Sequence, residues 1–367
     1  MDQIAATYMG RGSKKIVHME HWSNPDAETY LTGIDYYEHP RLCRQKLLEL
    51  YPCLKNQMNL DIPESDDPKP RPAELLASAN SGKKTHVRWG DSITGTWEHG
   101  EAFFKNTEEV YSFSPLDNCD HSGDGYIVEA YDYSNEEKLY AQMRSKLPLE
   151  WTVAPEGSGK FFHFYNTMFM WPLLSFGWEL FLECCLDERF ERIMGEFAEI
   201  NRRVYRNIAR LPVNFVISHD DICMAAGPVC SPEWMNKFIY PRYEEFWGIL
   251  KSSGKEVIFI SDGNVDKVID NVMACGARGV ISEPFTDYKS IARKHKDCFI
   301  AGEGDNRILQ TCDKDLIKKM VLSMVETGNM SRGYMMCIGN HIPWNVNPEG
   351  IKMYLDYCAE FGYRDIN

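Results

Sequence analysis

The sequence predicts an α/β fold, a (β/α)8 TIM barrel over residues 1–367 with an N-terminal extension and a β insertion, and three observations carry that prediction. Short apolar, β-branched runs in the C-terminal half each stop on an acid, an amide or a histidine, as strands buried on both faces of a parallel sheet do. Helical segments separate these runs, which implies parallel crossovers. No G-x-G-x-x-G follows a strand and no Walker sequence occurs, so a closed barrel, with its functional groups at the carboxyl ends of the strands, is preferred over an open nucleotide-binding sheet.

Five runs carry the pattern. Asn214 to Asp221 (NFVISHDD) ends on His219, Asp220 and Asp221, and Glu256 to Asn264 (EVIFISDGN) stops on Asp262 before Gly263 and Asn264 turn the chain. Gly279 to Glu283 ends on Glu283, Cys298 to Asp305 on Glu303 and Asp305, and Gly333 to His341 on Asn340 and His341. Successive side chains of a strand point to opposite faces, so at most one of Asp220 and Asp221 faces the barrel axis. Helices are predicted over 187–209, 232–252, 265–275, 287–295, 313–327 and 348–361. In the first of these Phe190, Ile193, Phe197, Ile200, Val204 and Ile208 recur at spacings of three and four.

The N-terminal part is read in the same way. Lys14 to Trp22 (KKIVHMEHW) is a short strand ending in His18, Glu20, His21 and Trp22, and Pro40 to Lys55 is helical. Pro63 to Pro72 is a loop, dense in proline and charge. His86 to Asp91, Ile93 to Trp97 and the Tyr126 to Tyr133 region suggest a β excursion, so residues 1–150 are expected to cover the barrel mouth. Lys160 to Asn166 (KFFHFYN) is a further strand, ending at His163, Tyr165 and Asn166, and Met168 to Leu186 is a buried helix interrupted by Pro172, Glu179 and Glu183.

A net charge of −14 argues against a nucleic-acid or anionic-membrane binder, whose affinity rests on basic patches. Twelve cysteines without C-x-x-C spacing are too dilute for a disulfide scaffold, and no signal-peptide h-region is seen, so a cytoplasmic protein is expected.

From His219 onward, HDDICMAAGPVCSPEWMNKFIYPRYEEFW resembles the uroporphyrinogen decarboxylase superfamily: an acidic pair (Asp220, Asp221), then Gly227-Pro228, Ser231-Pro232 and a helix reaching Pro241. The order continues through Ser261 to Asn264, Glu283, the GEGD of Gly302 to Asp305 and GNHIPWNVNPEG, so the resemblance covers roughly residues 160 to 362. It implies one of two chemistries on a (β/α)8 barrel. The first is cofactor-free decarboxylation of an acidic tetrapyrrole held by N-terminal arginines. The second is methyl transfer between a small substrate or thiol and a corrinoid carried by a partner protein. Only Arg11 precedes Arg41, and polycarboxylate recognition needs guanidinium forks, so the decarboxylase is disfavoured. The thiol-activating methyltransferases bind zinc through H-x-C-G, where this chain has Ile260, Ser261, Asp262 and Gly263, so a thiolate-rich zinc centre is not expected.

What remains is an oxygen and nitrogen set, Asp262, Glu283, Glu303 and His341. Two readings stay open: a zinc site, or a metal-free constellation for positioning and general acid chemistry. The resemblance implies methyl transfer from a small methylated donor, such as an aryl methyl ether, to cobalamin on a corrinoid-binding protein. His341, Glu303, Asp262 and His219 are the expected catalytic residues, with His341 the first choice of proton donor ahead of His219 and His21. His21, Trp22, Asp221, Tyr165, Asn166 and Trp344 are expected to bind substrate, and Phe164 and Trp171 to help wall the pocket. The partners expected are that corrinoid protein, the small substrate and, compatibly, a second copy in a homodimer, with no nucleic acid and no membrane. Decarboxylation of another carboxylated substrate and a non-catalytic corrinoid- or ligand-binding barrel are the alternatives.

Overall fold

The computed structural model describes residues 14–54, 61–79, 86–95, 104–119, 131–147, 161–164, 167–331 and 333–365. Its principal strands are β1 (Val17–His18), β2 (Phe161–Phe164), β3 (Phe215–His219), β4 (Glu256–Ile260), β5 (Gly279–Ile281), β6 (Phe299–Ala301) and β7 (Gly333–Met336). The chain divides into two compact units, one formed mainly by residues 102–286 with 297–299, the other by 6–101, 287–296 and 300–367. Strand β6 crosses the division, Phe299 belonging to the first unit and Ile300–Ala301 to the second.

In the first unit β2, β3, β4 and β5 pair in parallel in that order. The register sets His163 opposite Ile217, His219 opposite Ile260, and Ile260 opposite Ile281. These strands are apolar because both faces are covered: Val216, Val257, Phe259 and Val280 are buried, and the long helix Phe190–Arg210 buries all six residues of the predicted stripe. Two rings of that layer also fix polar groups. Tyr205 stacks on Phe246 at 4.9 Å, and its hydroxyl shares Ser218 Oγ with the Trp247 indole N–H.

Two predicted helices are each divided. Met168 to Leu186 folds as Met170–Phe176 and Trp178–Cys184, because Gly177 between them adopts φ +77°. The segment 232–252 folds as Pro232–Phe238 and Tyr240–Ser252, with Pro241, which has no N–H to give, in the first turn of the second helix. A small hairpin, Cys223–Met224 with Gly227–Pro228, precedes the first of these. Within the described residues the Tyr126 to Tyr133 region contributes buried Tyr131 and Tyr133 and no strand, while 126–130 lie outside them.

In the second unit β1 pairs with β7, which neighbours the Ile300–Ala301 part of β6. The predicted β excursion is an antiparallel hairpin, His86–Trp89 with Ser92–Gly95. Trp22–Ser23 pairs in parallel with Ile342–Pro343. No helix among the described residues is long and apolar enough to cross a membrane.

Candidate active site

The register of the first unit builds a layer of acids. His219, Ile260 and Ile281 are neighbours across β3, β4 and β5, and two residues beyond them stand Asp221, Asp262 and Glu283. Backbone N–H groups bind two of these carboxylates: Asp262 N–H donates to Asp221 Oδ1 at 2.8 Å and Gly263 N–H to Glu283 Oε2 at 2.8 Å. The turn that presents these donors requires glycine. Gly263 has φ +81°, and a Cβ there would lie 2.4 Å from the Met224 carbonyl carbon. Asn264 supplies an Asx cap in this turn, its Oδ1 accepting Asp266 N–H at 2.9 Å.

A histidine pair joins the layer. His219 Nε2 is 3.0 Å from Asp221 Oδ1, and its Nδ1 is 3.0 Å from His163 Nε2, with the two ring planes within 7° of parallel. Both bonds are satisfied when His219 gives Nε2–H to the carboxylate and accepts His163 Nε2–H at Nδ1. His163 is the functional candidate that sequence reasoning left out of its site. The available signal was its strand, since a histidine in the run next to β3 can meet His219 across a parallel pair.

Asp262 carries the largest electrostatic consequence. Burial, then the Asp221 and Glu283 carboxylates, push its carboxyl up to about 7, against a smaller downward pull from His219. Near neutral pH this site therefore holds a proton on a carboxyl group. It also fits a divalent cation: donor atoms of His219, Asp221 and Asp262 lie within 4.8 Å of one another. Nitrogen and carboxylate oxygen donors suit zinc, and His163 would orient His219 from its other ring nitrogen, as partners of metal-binding histidines do. Proton and cation compete for the same crowded carboxylates.

Asp220 faces the other way, as alternation requires. It is fully buried and accepts Phe169 N–H, Met170 N–H at 2.7 Å and the Tyr243 hydroxyl at 2.7 Å. Burial raises its pKa to about 6 against the pull of those bonds. It fixes the start of the Met170–Phe176 helix, which leaves Asp221 as the member of the pair at the site.

The second unit holds His21, Trp22, Glu303, His341 and Trp344. The pairing of Ile342 with Trp22 sets His341 beside His21, ring centroids 5.4 Å apart, and Trp89 lies 4.7 Å from His341. Burial and then His21 push His341 down to about 4, so it is neutral at pH 7 and lacks the imidazolium proton expected of it. Its Nδ1 is 2.8 Å from Asn340 Oδ1. Glu303 is partly buried against helix Lys314–Met330, where its carboxylate accepts the hydroxyls of Tyr334 at 2.7 Å, Thr327 at 3.1 Å and Ser323 at 3.4 Å. Thus the expected metal set Asp262, Glu283, Glu303 and His341 is divided between the units, and the cluster with metal-ligand spacing among the described residues is His219, Asp221 and Asp262.

The aromatic expectations separate similarly. Trp22 is buried, with its indole N–H on Glu28 at 3.2 Å, and borders a cavity of about 210 Å³ with Trp89, Arg44 and Asp91. Trp344 is partly exposed beneath the Arg88 guanidinium, 4.5 Å from its centroid. Phe164 packs edge-on to Tyr205, and Trp171 against Tyr133 and Phe197, so both belong to the core. Tyr165 and Asn166 lie outside the described residues.

Among solved structures, the chain is similar to a methyltransferase from Methanosarcina mazei at 13% identity, covering 98% of each chain with a TM-score of 0.56. That likeness shows the fold, an α/β barrel of the TIM type. A xylose isomerase-like TIM barrel protein from Mycobacterium smegmatis in complex with magnesium matches at 10% identity, over 70% of this chain and 99% of its own, with a TM-score of 0.28. No protein of curated function matches the sequence. The pattern of the family described as uroporphyrinogen decarboxylase (URO-D) matches residues 177–361, a span that contains β3 to β7 and the acid layer and makes up half of the chain. The chain belongs to the uroporphyrinogen decarboxylase family.

Proposed function

We propose that this protein is a methyltransferase that moves a methyl group from a small methylated donor, of the aryl methyl ether type, to the cobalt of a corrinoid held by a partner protein. The observation that carries the reading is Asp262, a strand-end carboxyl beside His219 and Asp221 that burial and the neighbouring carboxylates push up to about 7. Displacement at a methyl carbon breaks the carbon–oxygen bond and leaves both electrons on oxygen. A proton delivered from Asp262 to that oxygen neutralises it, so the donor leaves as an alcohol or phenol. Asp221 fixes His219 and accepts Asp262 N–H, while burial and then repulsion from Asp221 and Glu283 raise the Asp262 carboxyl. A cation held by His219, Asp221 and Asp262 would supply Lewis acidity to the same oxygen.

The test is a screen of methoxylated aromatics with the purified protein and reduced cobalamin, read by the absorbance of methylcobalamin. Product formation in the wild type, lost in Asp262→Asn, supports the proposal. Carbon dioxide release without a corrinoid would establish decarboxylation instead, and neither product would leave a binding protein.

A further inference from the structure

The cavity of about 210 Å³ lies within the second unit. The indoles of Trp22 and Trp89 and the Pro25 ring give it apolar walls, while Ser23, Arg44 and Asp91 are among its polar lining residues. Trp89 is held 4.7 Å from His341 and still exposes 44% of its surface. The charges around the cavity are already matched. Arg44 grips Glu28 through Nε at 3.1 Å and Nη2 at 2.8 Å, and Lys69 Nζ lies 2.7 Å from Asp91 Oδ2. Two polar atoms are not matched. The Ser23 hydroxyl is buried with no hydrogen-bond partner, and Asp91 gives Oδ2 to Lys69 and to the Tyr36 hydroxyl at 2.8 Å, while its Oδ1 accepts nothing among the described residues. The wall that carries Asp91 is firmly held: a Cβ on Gly90, at φ +61°, would lie 3.2 Å from Ser23 Cβ, and Arg88 Nη2 donates to Asp26 at 2.9 Å and to the Tyr37 hydroxyl at 2.8 Å.

We propose that this cavity is a binding site for a small neutral phenol, a single aromatic ring bearing a hydroxyl. Its size admits one ring, since a cavity of about 150 Å³ holds benzene and drug-sized ligands take roughly 300 Å³ or more. Indole walls favour an aromatic occupant over an aliphatic one. Because Glu28 and Asp91 are each balanced by a cation, no net charge is left to select an ion. What remains to be recognised is a group that both gives and takes a hydrogen bond, and a phenolic hydroxyl does both. It gives its proton to Asp91 Oδ1 and accepts from the Ser23 hydroxyl, which a staggered rotation of that side chain turns towards the cavity. A buried serine hydroxyl that costs stability while unpaired is thereby satisfied. Binding here needs neither a corrinoid nor Asp262, so it stands or falls apart from methyl transfer.

The experiment titrates the purified full chain with phenol, followed by calorimetry and amide exchange. Expected are saturable binding with slower exchange over residues 86–92, toluene weaker by at least about tenfold because it lacks the hydroxyl, and benzylammonium and benzoate each weaker than phenol. Ser23→Ala should weaken phenol about fivefold and raise the Tm of the ligand-free protein, because it deletes a buried hydroxyl that has no partner; a serine with a purely structural role would lower Tm instead. Ser23→Leu fills the cavity and should abolish binding, and should it fail to fold, Ser23→Ala decides alone. Asp262→Asn should bind phenol as the wild type does. No saturable binding, toluene or either ion binding as tightly as phenol, unchanged affinity or a lowered Tm in Ser23→Ala, loss of binding in Asp262→Asn, or protection that leaves out residues 86–92 overturns the proposal.

Discussion

Replacing Asp262 with asparagine removes the proton that the proposed methyl transfer requires and keeps the size of the side chain. The carboxyl titrates at about 7 rather than at its ordinary 3.8. About half of the molecules thus carry the proton at pH 7 and about a tenth at pH 8, so kcat/KM should fall about tenfold per pH unit above neutrality. General acids contribute roughly 10²–10⁴-fold, or about 3–5 kcal/mol of barrier, so Asp262→Asn should lose that factor and the alkaline limb with it. Glu283→Gln is the companion variant: it removes one of the two negative charges that raise Asp262, so the inflection should move to lower pH. Initial rates of cobalamin methylation between pH 5.5 and 9 measure both effects. Full activity in Asp262→Asn, or an inflection that stays in place in Glu283→Gln, refutes the assignment of the proton to Asp262.

The same shift has a sign for stability. A carboxyl raised in the folded state stabilises fully below pH 3.8, and that contribution is lost as pH rises towards 7, where the native state still holds a proton that the unfolded chain has released. Thermal denaturation with a chelator should therefore show a decline over this window that Asp262→Asn reduces. A divalent cation such as zinc should raise Tm more at pH 8 than at pH 6, since it must displace the Asp262 proton, and Asp262→Asn should erase the difference. Asp220→Ala leaves Phe169 N–H, Met170 N–H and the Tyr243 hydroxyl without their buried acceptor and should cost about 2–5 kcal/mol in urea denaturation. Gly263→Ala forces a Cβ against the Met224 backbone at a left-handed φ, and should cost at least about 2 kcal/mol and lower kcat.

Much of the fold was legible because burial on both faces leaves parallel strands almost purely apolar, as in Phe215 to Ile217 and Val257 to Ile260. Alternation likewise divides Asp220 from Asp221, although which one faces the site depends on Tyr243 and the Met170–Phe176 helix, which are remote in sequence. Registry across three strands was not legible, and it is registry that makes neighbours of Asp221, Asp262 and Glu283. The partners of Glu303 were not legible either. Gly302, at φ +100°, turns the chain beside it, and the side chain binds Thr327 and Tyr334, which lie more than twenty residues further on. The lowered pKa of His341 depends on burial, which the sequence does not state.

The two amide clamps on the acid layer affect how mutational data at this site should be apportioned. Asp221 is held by the backbone of the Asp262 turn, and the next residue of that turn holds Glu283, so each carboxylate is anchored by a strand other than its own. Truncating Asp221 would orphan an amide at the very residue whose proton is at stake, and truncating Glu283 would do so one residue later. Single-variant losses should therefore sum to more than the loss in the triple variant, and double-mutant cycles are needed to assign energy to any one of the three.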